Sequence, residues 1–518
     1  MAYAQRVTPL DEKLCYRALE SRDARFDGRL FVGVTSTGVY CRPVCPARTP
    51  KPANCRFFAA AAAAEAAGFR PCLRCRPETA PERGAWQGTS NTVSRGLELI
   101  AVGGLDGEGA SVERLAERLG VGARHLRRLF ETHLGVTPIA VAQTRRVAFA
   151  KQLIVETRLP MSEVALASGF GSVRRFNEIF RELFDRPPSA LRRKAVVTLP
   201  EGTVGTDGVT LRVRYRAPYD FAGLLSFFRA RAIVGVELVS ADRYLRTFEE
   251  DGEVGNVEVA QHPGEQSLLV RVRTGRVSVL SRIVGRVRRM FDTASDVTSI
   301  GEHLAQDPLL APLIARRPGL RVPGGWSGFE TGVRAVLGQQ VSVAAARQLA
   351  ERLVRSSGTP ILLGASSTRL FPSAQQVAGA DLSKLGMPKA RQNALQALAQ
   401  AAIADPRLFE ATSTIEETVA RLAAVRGIGA WTAHYIALRA ARDPDAFPSS
   451  DRGILRGMAL CLGAPCEAEA LERRAACWRP FRAHAAQHLW AEDAGVQPML
   501  ELDETIPVSK EVTRGKFK

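Results

Sequence analysis

The chain has 518 residues, which exceeds the size of one hydrophobic core and predicts about three to five domains. Its 71 Lys and Arg residues against 53 Asp and Glu give a formal net charge of +18, which favours a polyanionic partner such as nucleic acid. No apolar run of about 18 residues occurs, so we predict neither a membrane-spanning helix nor a membrane partner. Residues 1–11 lack a charged start followed by an apolar stretch, and we therefore expect no secretory signal and a cytoplasmic, nucleoid-associated protein.

Changes in composition and hydrophobic period divide the chain into four predicted units. A cysteine-rich unit comes first, and a linker rich in Gly, Ser and Pro at 81–91 separates it from a helical unit. In the third unit, apolar and polar residues alternate at 209–216 and again at 268–272, which predicts half-buried strands. The fourth unit returns to a helical pattern, so we predict a multidomain, mainly α fold with α+β parts. The predicted bounds are 1–80, 92–194, 196–310 and 311–500.

Four cysteines of the first unit form two close pairs, Cys41-x3-Cys45 and Cys72-x2-Cys75. Two such pairs, separated by a folded segment, can place four thiolates around one tetrahedral Zn²⁺. Six of the nine cysteines lie before residue 80, and this uneven placement indicates a reducing compartment rather than a disulfide scaffold. Spacing alone also fits a zinc ion that only stabilises a small domain.

The residues around these cysteines are more specific than the spacing. The strings at 38–45 and 68–75 closely resemble the N-terminal domain of the Ada-type methyl-accepting DNA repair proteins, and the resemblance covers most of residues 10–80. It implies that Cys41 accepts a methyl group from a DNA methylphosphotriester, once per molecule. A zinc-bound thiol is held as the nucleophilic thiolate at neutral pH, which suits this chemistry.

Methylation of one thiolate also changes the charge of the zinc site. Four thiolates on Zn²⁺ carry a net charge of −2, and methylating one leaves −1, which lessens the repulsion from DNA phosphates. The resemblance thus implies a chemical switch that strengthens DNA binding. It also implies three contacts with the DNA backbone, from Thr37, Arg48 and Arg70.

A helix, a turn and a second helix are predicted twice, about fifty residues apart. The first copy covers 111–130, with Ser111 as the expected helix N-cap and Gly120 at the turn. The second copy covers 161–180, and a long helix predicted at 139–155 joins the two. The repeated layout favours paired DNA-binding units over an ordinary helical bundle with a basic, solvated face.

The strings at 167–177 and 186–192 resemble the AraC-type DNA-binding domain, an all-α double helix-turn-helix. In Ada-type proteins this unit makes the methylated form a transcriptional activator, so the resemblance implies promoter DNA and RNA polymerase as partners. Arginines project outward from both predicted second helices and are candidate contacts with double-stranded DNA. They are Arg124, Arg127, Arg128, Arg174 and Arg175.

Near the C-terminus, Gly427-Ile-Gly429 separates two helical stretches and exposes backbone N–H groups at a helix start, which suits a phosphate. Alone, such a turn is as often a simple helix–helix connection. Asp451 follows sixteen residues after Tyr435, and this pairing resembles the helix-hairpin-helix glycosylase superfamily. The context makes Asp451 a catalytic candidate, although a single Asp is more often a helix cap.

The strings at 217–221, 317–323, 329–342 and 478–482 extend the match to the AlkA-type 3-methyladenine DNA glycosylase over 210–495. The resemblance implies a mixed α/β (TBP-like) domain, an all-α helix-hairpin-helix glycosylase domain, and flipping of an alkylated base out of the duplex. It further implies that Asp451 stabilises the developing oxocarbenium sugar. Ring faces would hold the cationic base, and the implied residues are Phe227, Trp431, Tyr435 and Trp490.

Three departures sharpen this interpretation. Relatives with lyase activity carry a Schiff-base Lys where this chain has Trp431, so we expect a monofunctional enzyme. The late cysteines, Cys461, Cys466 and Cys477, are too few for a four-cysteine iron–sulfur cluster, and we expect neither that cluster nor an organic cofactor. Gln340 stands where the family has an apolar DNA wedge, which predicts altered efficiency rather than loss of activity.

Together these features predict a fusion of an Ada-type sensor and regulator with an AlkA-type glycosylase. The Pro-Cys-His-Arg string of the alkylguanine-accepting module does not occur, so direct guanine repair is not predicted. The alternative is an AraC-type transcription regulator whose C-terminal half binds DNA without catalysis. Asp451, the aromatic set and the hairpin together favour the enzyme.

Overall fold

The structure is a computed structural model, and the part of the chain that it describes is a set of separate ranges. The described residues are 11–23, 26–28, 30–72, 74, 75, 77, 91–106, 110–194, 208–363, 366–412 and 414–496. Residues 81–90 of the predicted linker and residues 1–10 lie outside them. None of the described helices combines the length and the apolar character that crossing a bilayer needs.

The cysteine-rich unit is a small four-stranded sheet flanked by two helices. The strand order is β3-β1-β2-β4, with β1 antiparallel to β2 and β3, and β2 parallel to β4. Val32 of the central strand lies opposite both Cys41 and Phe57, which fixes the position of the first cysteine pair. The elements are α1 (Glu12–Glu20), β1 (Phe31–Val34), β2 (Val39–Cys41), β3 (Cys55–Phe58), α2 (Ala61–Ala66) and β4 (Arg70–Pro71).

The second unit is all helical and contains the predicted duplication. Ser111 caps the first helix of the first copy and accepts the backbone N–H of Arg114 at 3.2 Å. Ser172 caps the second helix of the second copy and accepts the backbone N–H of Arg175 at 3.1 Å. The N-cap predicted at Ser111 is therefore confirmed. The helices are α3 (Asn91–Ala101), α4 (Val112–Arg118), α5 (Ala123–Leu134), α6 (Pro138–Glu156), α7 (Met161–Ala167), α8 (Val173–Phe184) and α9 (Pro188–Lys194).

The third unit is a five-stranded antiparallel sheet with two helices packed on it, as the alternating pattern predicts. The strand order is β5-β9-β8-β7-β6, and Leu211 and Val213 of the first strand are buried while their neighbours are not. The elements are β5 (Val209–Arg214), α10 (Phe221–Arg231), β6 (Glu237–Val239), β7 (Arg243–Glu250), β8 (Glu253–Gln261), β9 (Ser267–Arg273) and α11 (Leu280–Met290).

The fourth unit is helical apart from one hairpin, β10 with β11, that the sequence did not indicate. Its bounds are α12 (Val297–Leu304), α13 (Ala311–Arg316), α14 (Gly328–Leu337), α15 (Val343–Ser357), β10 (Pro360–Leu363), β11 (Ser366–Arg369), α16 (Ala374–Ala378), α17 (Lys389–Ala404), α18 (Ile415–Ala423), α19 (Ala430–Ile436), a π-helical segment (Ala437–Ala441), α20 (Arg452–Leu462), α21 (Ala468–Ala475) and α22 (Arg482–Val496).

The second helix-turn-helix copy and the sheet unit share one hydrophobic core. Phe176 and Phe180 of α8 belong to the same buried cluster as Leu211 and Val213 of β5 and Ile283 of α11. The first copy has a separate core, to which Leu126 and Phe130 belong. Apolar packing thus runs across the domain boundary expected between 194 and 196. That boundary stays a prediction.

A buried carboxylate strengthens the same junction. Glu156, at the end of α6, accepts hydrogen bonds from the backbone N–H of Arg212 at 3.0 Å and from its Nε at 3.2 Å. Gln152, one turn earlier, donates to the Arg212 carbonyl at 2.7 Å. Because Glu156 is only 6% exposed, these bonds compensate the desolvation of its charge. The last turn of α6 is therefore fixed to β5.

Candidate functional site

The two predicted cysteine pairs lie together. The sulfur atoms of Cys41, Cys45, Cys72 and Cys75 all lie within 4.8 Å of one another, and all four residues are buried. Cys41 ends β2, whereas Cys72 directly follows β4, the strand paired with it. Four thiols converging in this way match the donor set of a tetrahedral zinc site.

Hydrogen bonding among the thiols distributes their protons unevenly. Hydrogen bonds with Cys45, Cys72 and Cys75 raise the pKa of the Cys41 thiol. The hydrogen bond with Cys41 lowers the pKa of Cys45 to about 7. The sulfurs are thus close enough to compete for protons, and a divalent cation among them would replace those protons.

Arg42 holds the two halves of this site together. Its Nε donates to Asp27 at 2.7 Å, and its Nη1 donates to the Cys75 carbonyl at 3.3 Å. The backbone N–H of Arg42 also donates to the Cys75 sulfur at 3.4 Å. Both charged side chains of this ion pair are buried, so the pair positions the loop that carries Cys75.

The predicted DNA contacts of the sensor and regulator units are available to solvent. Thr37, Arg48 and Arg70 are exposed. Arg124, Arg128, Arg174 and Arg175 are exposed, and Arg127 is partly so. Arg127 pairs with Glu113 at 2.6 Å and Arg174 pairs with Glu178 at 2.9 Å, contacts that solvent-exposed groups exchange easily. Their role in binding DNA stays a prediction.

The predicted hairpin joins α18 to α19. Gly427 has a φ of +85°, and a Cβ on it would lie 2.4 Å from the Cβ of Ala394, so both conformation and space require glycine. Gly429 is the N-cap of α19 and has open space in front of it. Gln339 donates to the Gly427 carbonyl at 3.0 Å and to Thr432 at 3.1 Å, which fixes the turn.

Gln340 lies beside this hairpin on an exposed turn between α14 and α15. It has a φ of +56°, in the left-handed region that non-glycine residues rarely adopt. Val341 and Val343 next to it are exposed apolar side chains. The predicted wedge position thus lies on an exposed turn with apolar neighbours, and its role in DNA binding stays a prediction.

Asp451 is held at the N-terminus of α20. Its Oδ1 accepts the backbone N–H groups of Gly453 at 2.8 Å and Ile454 at 3.1 Å. Trp490 Nε1 donates to the same oxygen at 2.8 Å, and Trp431 Nε1 donates to Oδ2 at 2.7 Å. The helix N-terminus and the two indole donors both favour a negative charge there. The carboxylate therefore faces the aromatic residues.

Three of the four predicted base-binding rings contact one another. Trp431 stacks on Tyr435 with ring centroids 5.6 Å apart and planes 21° apart, and Tyr435 meets Trp490 edge-on at 6.3 Å. Phe227 joins this aromatic cluster, meaning Phe227, Trp431, Tyr435 and Trp490, through a shared cation described below. All four rings are half-buried, and Phe227, Tyr435 and Trp490 also pack against the hydrophobic cores.

Arg439 places its guanidinium inside the aromatic cluster. Its Cζ lies 4.8 Å from the ring centroid of Phe227, 5.0 Å from that of Trp490 and 5.6 Å from that of Tyr435. Arg231 lies 3.9 Å above the Phe227 ring. The rings expected to attract a cationic base thus already contact cations of the protein itself.

Comparison with known proteins agrees with this arrangement. Residues 14–78 match the metal binding domain of Ada, residues 115–194 a helix-turn-helix domain, residues 210–327 the AlkA N-terminal domain, and residues 333–483 the HhH-GPD superfamily of base excision DNA repair proteins. A probable bifunctional transcriptional activator/DNA repair enzyme AlkA of Mycobacterium tuberculosis is 42% identical over 482 residues, 93% of this chain and 96% of that protein. The chain belongs to this family of bifunctional transcriptional activators and DNA repair enzymes.

Two further relatives correspond to the two halves of the family. The DNA-3-methyladenine glycosylase 2 of Escherichia coli is 33% identical over 289 residues, which are 55% of this chain and 98% of that enzyme. The bifunctional transcriptional activator/DNA repair enzyme AdaA of Bacillus subtilis is 29% identical over 187 residues, 35% of this chain and 82% of that protein. The protein is a DNA glycosylase joined to a zinc-binding, DNA-binding transcriptional activator, and the expected fusion is confirmed.

Within this family fold, sequence reasoning missed Arg439. Its position carries a signal, because Trp431, Tyr435 and Arg439 are spaced by four residues and so follow one helix face. The sequence therefore places Arg439 on the helix face of two of the rings predicted to bind the base. Gln339 was also missed, since its bond to the Gly427 carbonyl depends on tertiary packing.

Proposed function

We propose that the Asp451 carboxylate and the aromatic cluster form the site that hydrolyses the N-glycosidic bond of alkylated bases of the 3-methyladenine type. The observation that supports this proposal is the pair of indole bonds to Asp451, from Trp431 at 2.7 Å and Trp490 at 2.8 Å. They place one anion at the edge of a half-open set of rings. A purely DNA-binding half would have no use for that geometry.

The reaction needs a flipped nucleotide whose base enters the cluster and whose sugar lies beside Asp451. As the C1′–N bond lengthens, positive charge grows on the sugar, and the fixed carboxylate stabilises it without reorganisation. Oδ1 is occupied by three donors, whereas Oδ2 accepts one bond, from Trp431. Oδ2 can therefore also orient the attacking water on the sugar.

We propose that this half is monofunctional. Trp431 occupies the hairpin position of a Schiff-base lysine, and its indole nitrogen donates to Asp451 rather than attacking the sugar. We expect Gly427 and Gly429 to bind a DNA phosphate and Gln340 to fill the gap that the flipped nucleotide leaves. The product is then an intact strand that carries an abasic site.

We further propose that Cys41 is the methyl acceptor of the sensor unit. Its sulfur forms a bond to the methyl carbon of a methylphosphotriester while the carbon–oxygen bond breaks and the phosphodiester anion leaves. Bound zinc would keep the thiol ionised at neutral pH. Thr37, Arg48 and Arg70 would bind the flanking phosphates, and mass spectrometry after exposure to methylated DNA should find a gain of about 14 Da on Cys41 in the wild type.

The methylated chain is proposed to bind promoter DNA more tightly and to recruit RNA polymerase. The exposed arginines of α5 and α8 would supply the DNA contacts, because neutralising phosphates dominates such affinity. A residence on the nucleoid follows from that affinity.

The enzyme proposal is tested by Asp451→Asn in the full chain. DNA that carries 3-methyladenine is incubated with each variant, and alkali-labile abasic sites are counted. We expect a loss of about 100- to 1000-fold in the rate of the variant, since the charge beside the sugar is removed while the helix cap is kept. Asp296→Asn is the matched control, because Asp296 caps α12 and lies outside the aromatic cluster. Equal rates for Asp451→Asn and wild type would refute the proposal.

A further inference from the structure

The guanidinium of Arg439 is a buried cation without a carboxylate partner among the described residues. Arg439 is 4% exposed, and its Nη1 and Nη2 donate to the Pro323 carbonyl at 2.9 Å and to Gln487 Oε1 at 3.0 Å. Its Nε is buried and finds no acceptor among those residues. Burial lowers the pKa of Arg439 to about 10, so the side chain stays charged at neutral pH.

The charge of Arg439 also acts on Tyr435 of the aromatic cluster. Burial alone would raise the pKa of Tyr435, yet the positive charges of Arg439 and Arg231 bring it below the ordinary value. Because the Arg439 guanidinium lies 5.6 Å from the ring centroid of Tyr435 and 5.0 Å from that of Trp490, a base stacked on either ring would also interact with its positive charge.

Asp451 lies at the N–H edge of the Trp490 ring, whereas Arg439 lies over the face of that ring. Trp490 connects them, since its Nε1 donates to Asp451 at 2.8 Å and its ring centroid lies 5.0 Å from the Arg439 guanidinium. With a nucleotide bound, the anion would be next to the sugar and the cation behind the base. This pair of fixed charges would produce a field along the glycosidic bond.

We propose that Arg439 sets the charge selectivity of the glycosylase, by favouring departure of the base while disfavouring the binding of bases that are already cationic. This inference rests on the proposed function of the aromatic cluster. When the C1′–N bond breaks, its electron pair goes to the base nitrogen, water adds to C1′ and gives up a proton. The base gains one negative charge in every case, and a cation behind it stabilises that gain.

The two classes of base differ in the ground state. A cationic base enters against the charge of Arg439 and leaves neutral, so Arg439 weakens its binding but speeds its release. A neutral base with a carbonyl acceptor enters without that repulsion and leaves as an anion. Arg439 therefore contributes more to kcat/KM for neutral bases than for cationic ones.

The test compares duplexes that carry 7-methylguanine, a cationic base, or hypoxanthine, a neutral one, with the full chain. For Arg439→Gln we expect kcat and KM to fall together on the cationic base, so that kcat/KM stays within about threefold of wild type. On the neutral base we expect kcat/KM to fall about tenfold or more. Arg439→Lys keeps the charge and should retain the wild-type selectivity.

A second variant leaves the arginine in place. Gln487→Glu is nearly isosteric and puts a carboxylate on the Nη2 donor, which neutralises the guanidinium without emptying its site. We expect the same split between the two bases, at smaller amplitude, even where Arg439→Gln unfolds. Circular dichroism melts establish that each variant is folded under assay conditions.

An equal fall of kcat/KM on both bases in both variants, or no change in selectivity, would overturn the inference and leave Arg439 as a support of the fold. The failure of the proposed function is a separate result. In that case Asp451→Asn would keep wild-type rates on both duplexes, whatever the arginine variants do.

Discussion

The two helix-turn-helix copies have the same layout but different surroundings. In the first copy, Leu126 and Phe130 of α5 are buried in a core that also includes Ala62 of α2, from the cysteine-rich unit. In the second copy, Phe176 and Phe180 of α8 are buried in a core that continues into the sheet of the glycosylase half. The two copies thus share a layout, but only the second shares its buried core with the sheet of the glycosylase half.

The polar contacts that link each copy to the glycosylase half also differ in burial. Arg118 of the first copy reaches Glu410 of the glycosylase at 2.5 Å, but both side chains are about one-third exposed, so the pair adds little. Next to the second copy, Glu156 at the end of the connecting helix α6 is buried against Arg212. The junction therefore joins the second copy firmly to the enzyme, whereas the first copy's core is separate from the core of the sheet.

The largest expected effect comes from removing one buried ring from each of the two cores. Phe180→Ala and Phe130→Ala each remove a ring with 0% exposure, and each should cost about 3 to 5 kcal/mol of local stability. Only Phe180→Ala should also lower the temperature at which the glycosylase loses activity, because its cavity lies in the shared core. Thermal inactivation of abasic-site formation is the measurement. Equal inactivation temperatures in the two variants would remove the distinction between the copies.

The buried carboxylate of Glu156 allows a second comparison, with a smaller expected effect. Glu156→Gln leaves Arg212 with a weaker acceptor in a buried setting and should lower the free energy of unfolding by about 2 to 3 kcal/mol. Glu113→Gln is its counterpart in the first copy, where the partner Arg127 lies at the surface, and should change stability little. Urea unfolding monitored by tryptophan fluorescence tests both, and a Glu156→Gln curve that overlays the wild type would show that the junction is weak.

Acidification should destabilise the glycosylase half, where His488 is buried in α22. Burial lowers the pKa of His488 to about 3, well below the ordinary 6.5 of the unfolded chain. Below pH 6.5 the unfolded state therefore gains a proton that the folded state refuses, and stability falls as the pH falls. Between pH 6.5 and 5 the loss is about 2 kcal/mol at about 1.4 kcal/mol per pH unit.

His488→Leu isolates this term, because it removes the titrating group at similar volume. The variant should lose less stability than the wild type over the same pH interval. Identical pH slopes for His488→Leu and wild type would assign the acid sensitivity to other groups.

Local patterns predicted most of the fold and the candidate site. The cysteine pairs, the hairpin glycines and the N-cap at Ser111 are set by residues within one turn or loop, so sequence spacing is enough to identify them. The shared core and the contacts of the Arg439 guanidinium join residues far apart in the chain, since Phe180 and Ile283 are 103 positions apart and Phe227 and Arg439 are 212 apart. No local period reports whether Phe180 packs on its own copy or on β5, and an arginine in a helix is usually exposed.

The smallest expected effect concerns the helix caps Ser111 and Ser172. Their geometry is alike, and the question is whether losing each cap affects the glycosylase equally. Ser111 and Ser172 each accept one backbone N–H, at 3.2 Å and 3.1 Å, so Ser→Ala at either should cost about 1 kcal/mol locally. At Ser172 that loss falls on α8, whose aromatic face is part of the shared core, so the whole body that includes the sheet should unfold at a temperature a few degrees lower. At Ser111 the same loss should stay within the first copy and leave glycosylase inactivation unchanged. Calorimetry combined with the abasic-site assay distinguishes these cases, and a shift of enzyme inactivation by Ser111→Ala would mean that both copies unfold together with the enzyme.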